Sequence, residues 1–453
     1  MGRYPLGAIR ATNVAEQSCR SARFGGRGSG DDLAASRPET RPRGRPSLRD
    51  HRVERALDVA AHILNADGLT NASLDGVAAA LGITKSALYY YFRSKEDLVY
   101  RSYLRACQVA MRAIHQAAAT GGSGRARLEA YVRERLSVDA PPVAYVGEID
   151  FLAPAHRNEI VALELRHDHA LREFLSEGVA DGSLAMPDVA IVNASIIGAM
   201  NWIFVWLRPD EGAMTKDVIG EAYLDIFLHG LAPRNLPAVT DWPSPVHLLE
   251  PPQAAAFDRI EQTARRREAL VRSGSEFFNR NGFDNCTLED VVDGLGISKS
   301  ALYHYVASKE ALLHAAYDRS LAKTEVVMTT IDDESGDGLA KIMRTIASAV
   351  DLHVGPAGPI ANYTRLKSLT PQHGREVRAR SERLEAILSG FFDLGVFDGT
   401  VRPLDTHLAR LALLGAINSL AKWYVPRGPV RPHAVTANLV HLFINGLVPR
   451  PAP

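Results

Sequence analysis

The segment LGITKSALYYY at Leu81–Tyr91 returns 214 residues later as LGISKSALYHY at Leu295–Tyr305, with nine of eleven positions identical. Over the wider windows Gly68–Leu98 and Gly282–Leu312, 17 of 31 positions match. A repeat this sharp at one constant offset means that a module was copied within the chain. The copying covers a whole domain. The ends of the two units also match, as DIFLHGLAPR at Asp225–Arg234 and HLFINGLVPR at His441–Arg450. A chain of 453 residues exceeds one compact core in any case.

The expected layout follows from the repeat. Residues 1–46 are Gly-, Arg- and Ser-rich and read as a disordered basic arm. A first head at 47–100 precedes a helical regulatory region at 101–232. A linker at 233–258 carries six prolines, and a second head at 259–314 precedes a second regulatory region at 315–449. Apolar residues recur three and four apart, as in Ala56, Val59, Ala60, Ile63 and Leu64, which places them on one helix face. Alternating strand patterns are scarce. The expected class is all-α.

Formal net charge is zero, so a nucleic-acid site must come from local clustering rather than a global field. Ten arginines against four acids in residues 1–49 supply one such cluster. The three cysteines are distant and odd in number, which fits a reducing, cytoplasmic and nucleoid-associated setting without a disulfide framework. Val189–Leu207 holds nineteen uncharged residues, long enough for a membrane span. Its counterpart His407–Val425 carries Arg410 and Lys422, so the shared element is expected to be a helix buried against protein, not in a membrane.

Ser73 is placed to cap a short helix running to about Ala80, and Gly82 to break it with a left-handed backbone. Thr84 then caps a second helix over Lys85–Phe92. In it Leu88 and Phe92 face a core, while Lys85, Ser86, Tyr89 and Tyr90 lie opposite. Two short helices joined at a glycine form a helix-turn-helix, whose second helix enters the major groove. The second copy offers Thr287 as cap, then Ser298, Lys299, Ser300, Tyr303 and His304 outward. Tyr91 and Tyr305 read equally well as packing residues. A lysine in a first helical turn opposes the helix dipole, so a nearby phosphate or guanine would suit Lys85 and Lys299. Pro42–Pro46 holds Arg43 and Arg45 extended between prolines, narrow enough for the minor groove of A·T-rich DNA.

Through LGITKSALYYYFRSKEDL at 81–98 and LGISKSALYHYVASKEAL at 295–312 the chain resembles the TetR family of bacterial transcriptional regulators. It departs from that pattern at Val306, where the first copy has Phe92. The resemblance implies that Thr84, Lys85, Ser86, Tyr89, Tyr90, Tyr91 and Lys95 contact DNA. In the second copy Ser298, Lys299, Ser300, Tyr303, His304, Tyr305 and Lys309 would do so. It also implies that the last two helices of each unit form a four-helix interface, here supplied by one chain acting as a pseudo-dimer. Asn201, Trp206, Asn418 and Trp423 would sit in that interface, each asparagine buried to fix register. The form of the penultimate helix is similar to actinobacterial regulators of lipid or steroid breakdown. That implies a small apolar effector of lipid, steroid or acyl-thioester type. No cofactor is expected.

Nothing supports an enzyme. Gly25–Gly30 follows no strand, and no G-x-S-x-G or P-loop pattern is present. His167 and His169 flank Asp168 but face different ways on a helix, so no metal site is expected. The rival within the DNA-binding class is an architectural protein without a ligand, or an activator.

Overall fold

The computed structural model describes residues 48–207, 214–234, 242, 244, 245, 249, 259–283, 287–295, 305–362, 366–425 and 428–450. Among these there are fifteen α-helices and no strand. The first half comprises α1 (Leu48–Asn71), α2 (Leu74–Leu81), α3 (Lys85–Tyr89), α4 (Lys95–Thr120), α5 (Gly124–Arg135), α6 (Pro154–Ala180), α7 (Val189–Trp206) and α8 (Lys216–His229). The second half comprises α9 (Arg259–Asn281), α10 (Leu288–Leu295), α11 (Lys309–Asp333), α12 (Gly338–Val354), α13 (Pro371–Phe397), α14 (Thr406–Trp423) and α15 (Pro432–Val440), which runs on into a wider-turned segment at His441–Asn445. Residues 296–304, which include Ser298, Lys299, Ser300, Tyr303 and His304, lie outside the described residues, as do Arg43 and Arg45.

The two halves repeat local solutions that the sequence hides. Gly124 and Gly178 let α5 touch α6 backbone to backbone, since a Cβ on Gly124 would lie 2.1 Å from the Gly178 nitrogen. Gly338 and Gly395 do the same between α12 and α13, also at 2.1 Å. Each contact is locked by an aspartate: the Gly124 and Gly338 amides donate to Asp181 and Asp398, both at 2.8 Å. These pairs are more than fifty residues apart in the chain, so no local pattern marks them.

Helices α7 and α14 cross at the centre of the molecule and join the halves. A Cβ on Gly415 would lie 2.6 Å from the Trp202 Cβ, and one on Gly198 would lie 2.3 Å from the Ser419 hydroxyl oxygen. Small residues therefore set how closely the two helices approach. α7 is the one helix among the described residues long and apolar enough to cross a membrane, and 61% of that stretch is buried inside the protein.

The matching ends of the two units turn out to meet each other. Leu231 and Ala232 donate backbone bonds to Phe443 and Ile444 at 2.8 and 3.0 Å, while Leu447 and Val448 donate to Phe227 and Leu228 at 2.9 Å each. Phe227 and Phe443 pack edge to face at 6.4 Å. Gly230 and Gly446 sit at φ 66° and 73°, and each would drive a Cβ into the backbone of the other segment of this pairing. The arrangement is reciprocal, as a two-fold interface requires.

Candidate nucleic-acid interface

In the first head, Ser73 is extended and its hydroxyl accepts the Gly76 amide at 3.0 Å. Gly82 closes α2 in the left-handed region, at φ 66° and ψ 29°. The Thr84 hydroxyl accepts the Ala87 amide at 3.2 Å. These side chains satisfy amides that helix starts leave without partners. The second helix ends sooner than its apolar spacing predicts, at Tyr89 rather than Phe92. Tyr91 and Phe92 both donate to the Leu88 carbonyl, which tightens the chain into a turn and drops Phe92 into the core.

Leu88 and Phe92 are fully buried beside Ala56, Leu57, Ala60, Leu74 and Val77. The opposite surface carries Lys85, Ser86, Tyr89 and Tyr90, all exposed, with Tyr90 at 68%. Lys85 pairs with Asp75 at 2.9 Å, and both side chains are more than half exposed. The Asp75 hydrogen bond and charge hold the lysine above the ordinary ammonium range. Asp75 is thus the group that balances the first-turn cation in the DNA-free protein, a partner that sequence reasoning assigned to DNA alone.

Two further cations reach this surface from α1. Arg49 lies 5.4 Å from the centre of the Tyr90 ring, and Arg52 donates to the Tyr91 hydroxyl at 3.5 Å. Neither was singled out from the sequence, although their spacing of three places them on one helix face. Tyr91 is half-buried against the head's core, so it packs as well as presenting its hydroxyl. Lys95 is half-buried over the Phe151 ring at 5.8 Å.

In the second head the Thr287 hydroxyl accepts the Asp290 amide at 3.2 Å, and the Asp290 carboxylate accepts the Thr287 amide at 2.8 Å. This is the reciprocal capping arrangement. Tyr305 is half-buried, and the Lys309 ammonium lies 4.2 Å from the centre of the Phe283 ring. Glu289 stands at the position of Asp75.

The proposed register asparagines are not core residues: Asn201 and Asn418 are both half-buried, and the Asn418 carbonyl accepts Asn362 at 3.0 Å. The crossing is fixed by glycines, which need no polar partner. The asparagine fully buried on α7 is Asn193, which donates to Asp168 within its own half at 2.7 Å. Trp423 is buried and donates to Ser419 at 3.1 Å, whereas Trp206 is half-buried and meets His407 of the other half at 6.5 Å. No group of three or more potential metal ligands occurs among the described residues.

Each head is tied to its regulatory region by the same two devices. Arg105 of α4 donates to Asp58 of α1 at 2.8 Å and to the Pro142 carbonyl. Arg319 of α11 donates to Glu268 of α9 at 2.7 Å and to the Pro359 carbonyl at 2.9 Å. Asn65 clasps the next stretch of loop through Val143 and Tyr145, at 2.9 and 2.7 Å. Asn279 clasps Ile360 and Asn362 in the same way, at 2.7 and 3.0 Å. Each loop is thereby hydrogen-bonded to the first helix of its head.

The comparisons with known proteins agree with this architecture. The domain described as "Bacterial regulatory proteins, tetR family" matches residues 56–101 and 270–316. "Tetracyclin repressor-like, C-terminal domain" matches residues 121–231 and 335–447. The chain is 30% identical over 186 residues to the HTH-type transcriptional repressor KstR2 of Rhodococcus jostii (strain RHA1), a span covering 40% of this chain and 91% of that protein. It is 28% identical over 197 residues to KstR2 of Mycolicibacterium smegmatis, covering 42% and 95%. Among solved structures, the regulator PfmR from Thermus thermophilus is 31% identical over 38% of this chain and 96% of its own, with a TM-score of 0.32. The chain belongs to the TetR family of bacterial transcriptional regulators, with both family domains present twice. It is a DNA-binding transcriptional repressor and not an enzyme.

Proposed function

We propose that one polypeptide reads two DNA half-sites as a covalent pseudo-dimer and is released from them by a small lipid-like effector. The observation that carries this reading is the reciprocal backbone pairing of Phe227–Ala232 with Phe443–Val448, together with the α7–α14 crossing. The contact surfaces that would otherwise recruit a second chain are occupied within this one.

In this reading Lys85, Ser86, Tyr89 and Tyr90 enter the major groove, flanked by Thr84, Tyr91 and Lys95. Arg49 and Arg52 contact the neighbouring phosphates. Ser298, Lys299, Ser300, Tyr303, His304, Tyr305 and Lys309 serve the second half-site, and Arg43 and Arg45 the minor groove. Ser73 and Thr287 hold the helix-turn-helix from behind, as caps. The protein then acts at the nucleoid. Because the second copy has Ser298 and His304 at the sequence positions of Thr84 and Tyr90, the half-sites should resemble each other without being perfect inverted repeats. Their centres should lie about 34–36 Å apart if one helical turn separates them.

Native mass measurement of the full chain on a minimal two-half-site duplex tests the proposal. One chain per duplex is the expected result. An obligatory two chains on that duplex would overturn it.

A further inference from the structure

The interiors of the two regulatory regions carry different chemistry. In the first, Arg135 at the end of α5 is only 6% exposed, and the groups whose charge acts on it are Tyr131 and Cys107, with no carboxylate among the described residues. Its guanidinium lies 4.8 Å from the centre of the Phe204 ring. Phe204 in turn packs with Ala106, Val109 and Val143. The Lys216 ammonium lies nearby and donates to the Ala140 carbonyl. Burial first, and Arg135 second, push that ammonium below its ordinary range. Tyr131 and His167 share a hydrogen bond of 2.7 Å on the same side. His167 is pushed down to about 3, by burial first and by Arg135 second. It therefore adds no positive charge at neutral pH.

A buried cation without an anion is strongly unfavourable. Lys216 is half-buried and has Asp217 and Asp58 acting on it, so Arg135 alone lacks its counter-charge. The retention of Arg135 in an apolar interior is explained by a ligand that brings the missing charge. In the second half the corresponding positions are Thr345 for Tyr131, Ala349 for Arg135, Leu384 for His167, Ala421 for Phe204 and Pro432 for Lys216. No cation remains at these positions. The surface depression of about 260 Å³ on the first half, lined by Glu134, Asp217 and Glu221 against Arg133, is dominated by carboxylates and is no place for an anion.

We infer that Arg135, with Lys216 beside it, holds the anionic head of an amphipathic effector, and that this site exists in the first half alone. The head is a carboxylate or a phosphate ester, and the apolar tail lies among Phe204, Val109 and Val143. The inference rests on the proposed effector response and names the chemistry of its ligand. It also gives the response a path. Lys216 holds the Ala140 carbonyl, and the same loop reaches Arg105 through Pro142 and Asn65 through Val143. An anion that draws Lys216 away from Ala140 loosens the loop on which α1 depends.

The test uses the full DNA-free chain titrated calorimetrically with decanoate, decyl phosphate and 1-decanol. The expected result is one site per chain, with at least one anion binding tenfold or more tighter than the alcohol. The stronger anion distinguishes a carboxylate from a phosphate head. Arg135→Met should lose that preference, and Arg135→Lys should keep most of it. Without ligand, Arg135→Met should melt no lower than the parent and by up to about 2–4 °C higher, because an unpaired buried charge has been removed. Equal binding of anion and alcohol, no binding, two sites per chain, or an indifferent Arg135→Met each overturns the site. So does a clear fall in its melting temperature, the mark of a purely structural arginine. Operator release by the same probes is scored separately, so binding without release would remove the effector response and leave the anion site standing.

Discussion

The first and second regulatory regions agree where they hold their heads and differ in their interiors. Arg105 and Arg319 make the same bridge, Asn65 and Asn279 the same clasp, and Gly124–Gly178 and Gly338–Gly395 the same contact. Between these shared parts, the copy has Ala349, Ser381 and Leu384 at the positions of Arg135, Glu164 and His167. Joints are geometric and tolerate few alternatives, because a misplaced carbonyl leaves a buried donor without its partner. An interior needs only the right volume, so it can exchange one set of side chains for another. The difference teaches that the two copies share their linkages and not their interiors.

The pairing of the halves is the most sensitive place to break this comparison. Gly446→Val adds a branched side chain at a positive φ and against the backbone of Leu228 and His229. It should cost about 3 kcal/mol or more in urea unfolding. Gly399→Ala, at φ 78° with open space around it, should cost only about 1 kcal/mol. Equal costs would mean that the end motifs do not hold the halves together. Next in size are the joints. Arg105→Met and Arg319→Met should each lose about 2 kcal/mol, since each removes several charge-assisted bonds. Unequal losses in paired denaturation curves would show that the two linkages are not equivalent.

The interiors should separate by pH. Burial, as the leading cause, pushes the Glu164 carboxyl up to about 7, and its Oε2 has no hydrogen-bond partner. The folded form therefore holds a proton that the unfolded form has already released. Stability from this group is present below pH 4.5 and falls as pH rises toward 7. Relative to Glu164→Gln, the parent should lose roughly 1–2 kcal/mol between pH 5 and pH 7. Parallel stability profiles for the two proteins would show that the carboxyl is ordinary. Smallest is the comparison of heads. Lys85→Ala and Lys299→Ala should each reduce the salt slope of operator binding by about 0.9 if each touches one phosphate. A loss confined to one of them would mean that the heads grip DNA unequally.

Much of the head was legible in the sequence because its determinants are local. A serine or threonine before an apolar turn, a glycine after it, and Leu88 four residues before Phe92 are all read within a dozen positions. The end of α3 was missed by three residues, because the pull of Phe92 into the core tightens the chain there. Asp75 beside Lys85 was missed because the pair spans two helices. The end motifs were visible as a repeat, but their mutual pairing is tertiary and has no period. Arg135 was missed as well. The three-and-four spacing puts Arg135 on the face of Leu128, Tyr131 and Val132 and Arg133 off it, but a charged residue on such a face reads as a helix end reaching solvent, and its burial without a carboxylate is tertiary.

The reciprocal pairing of the two end motifs also bears on how many molecules a cell must make. Separate subunits at nanomolar abundance fall apart whenever their mutual affinity is weaker than that abundance. Segments tethered by a short linker instead meet at an effective concentration on the order of millimolar. Halves joined through residues 233–258 cannot be diluted away from each other. If one chain fills both half-sites, as proposed, operator occupancy would rise in direct proportion to copy number rather than with its square, and a small number of chains would suffice to keep a promoter shut.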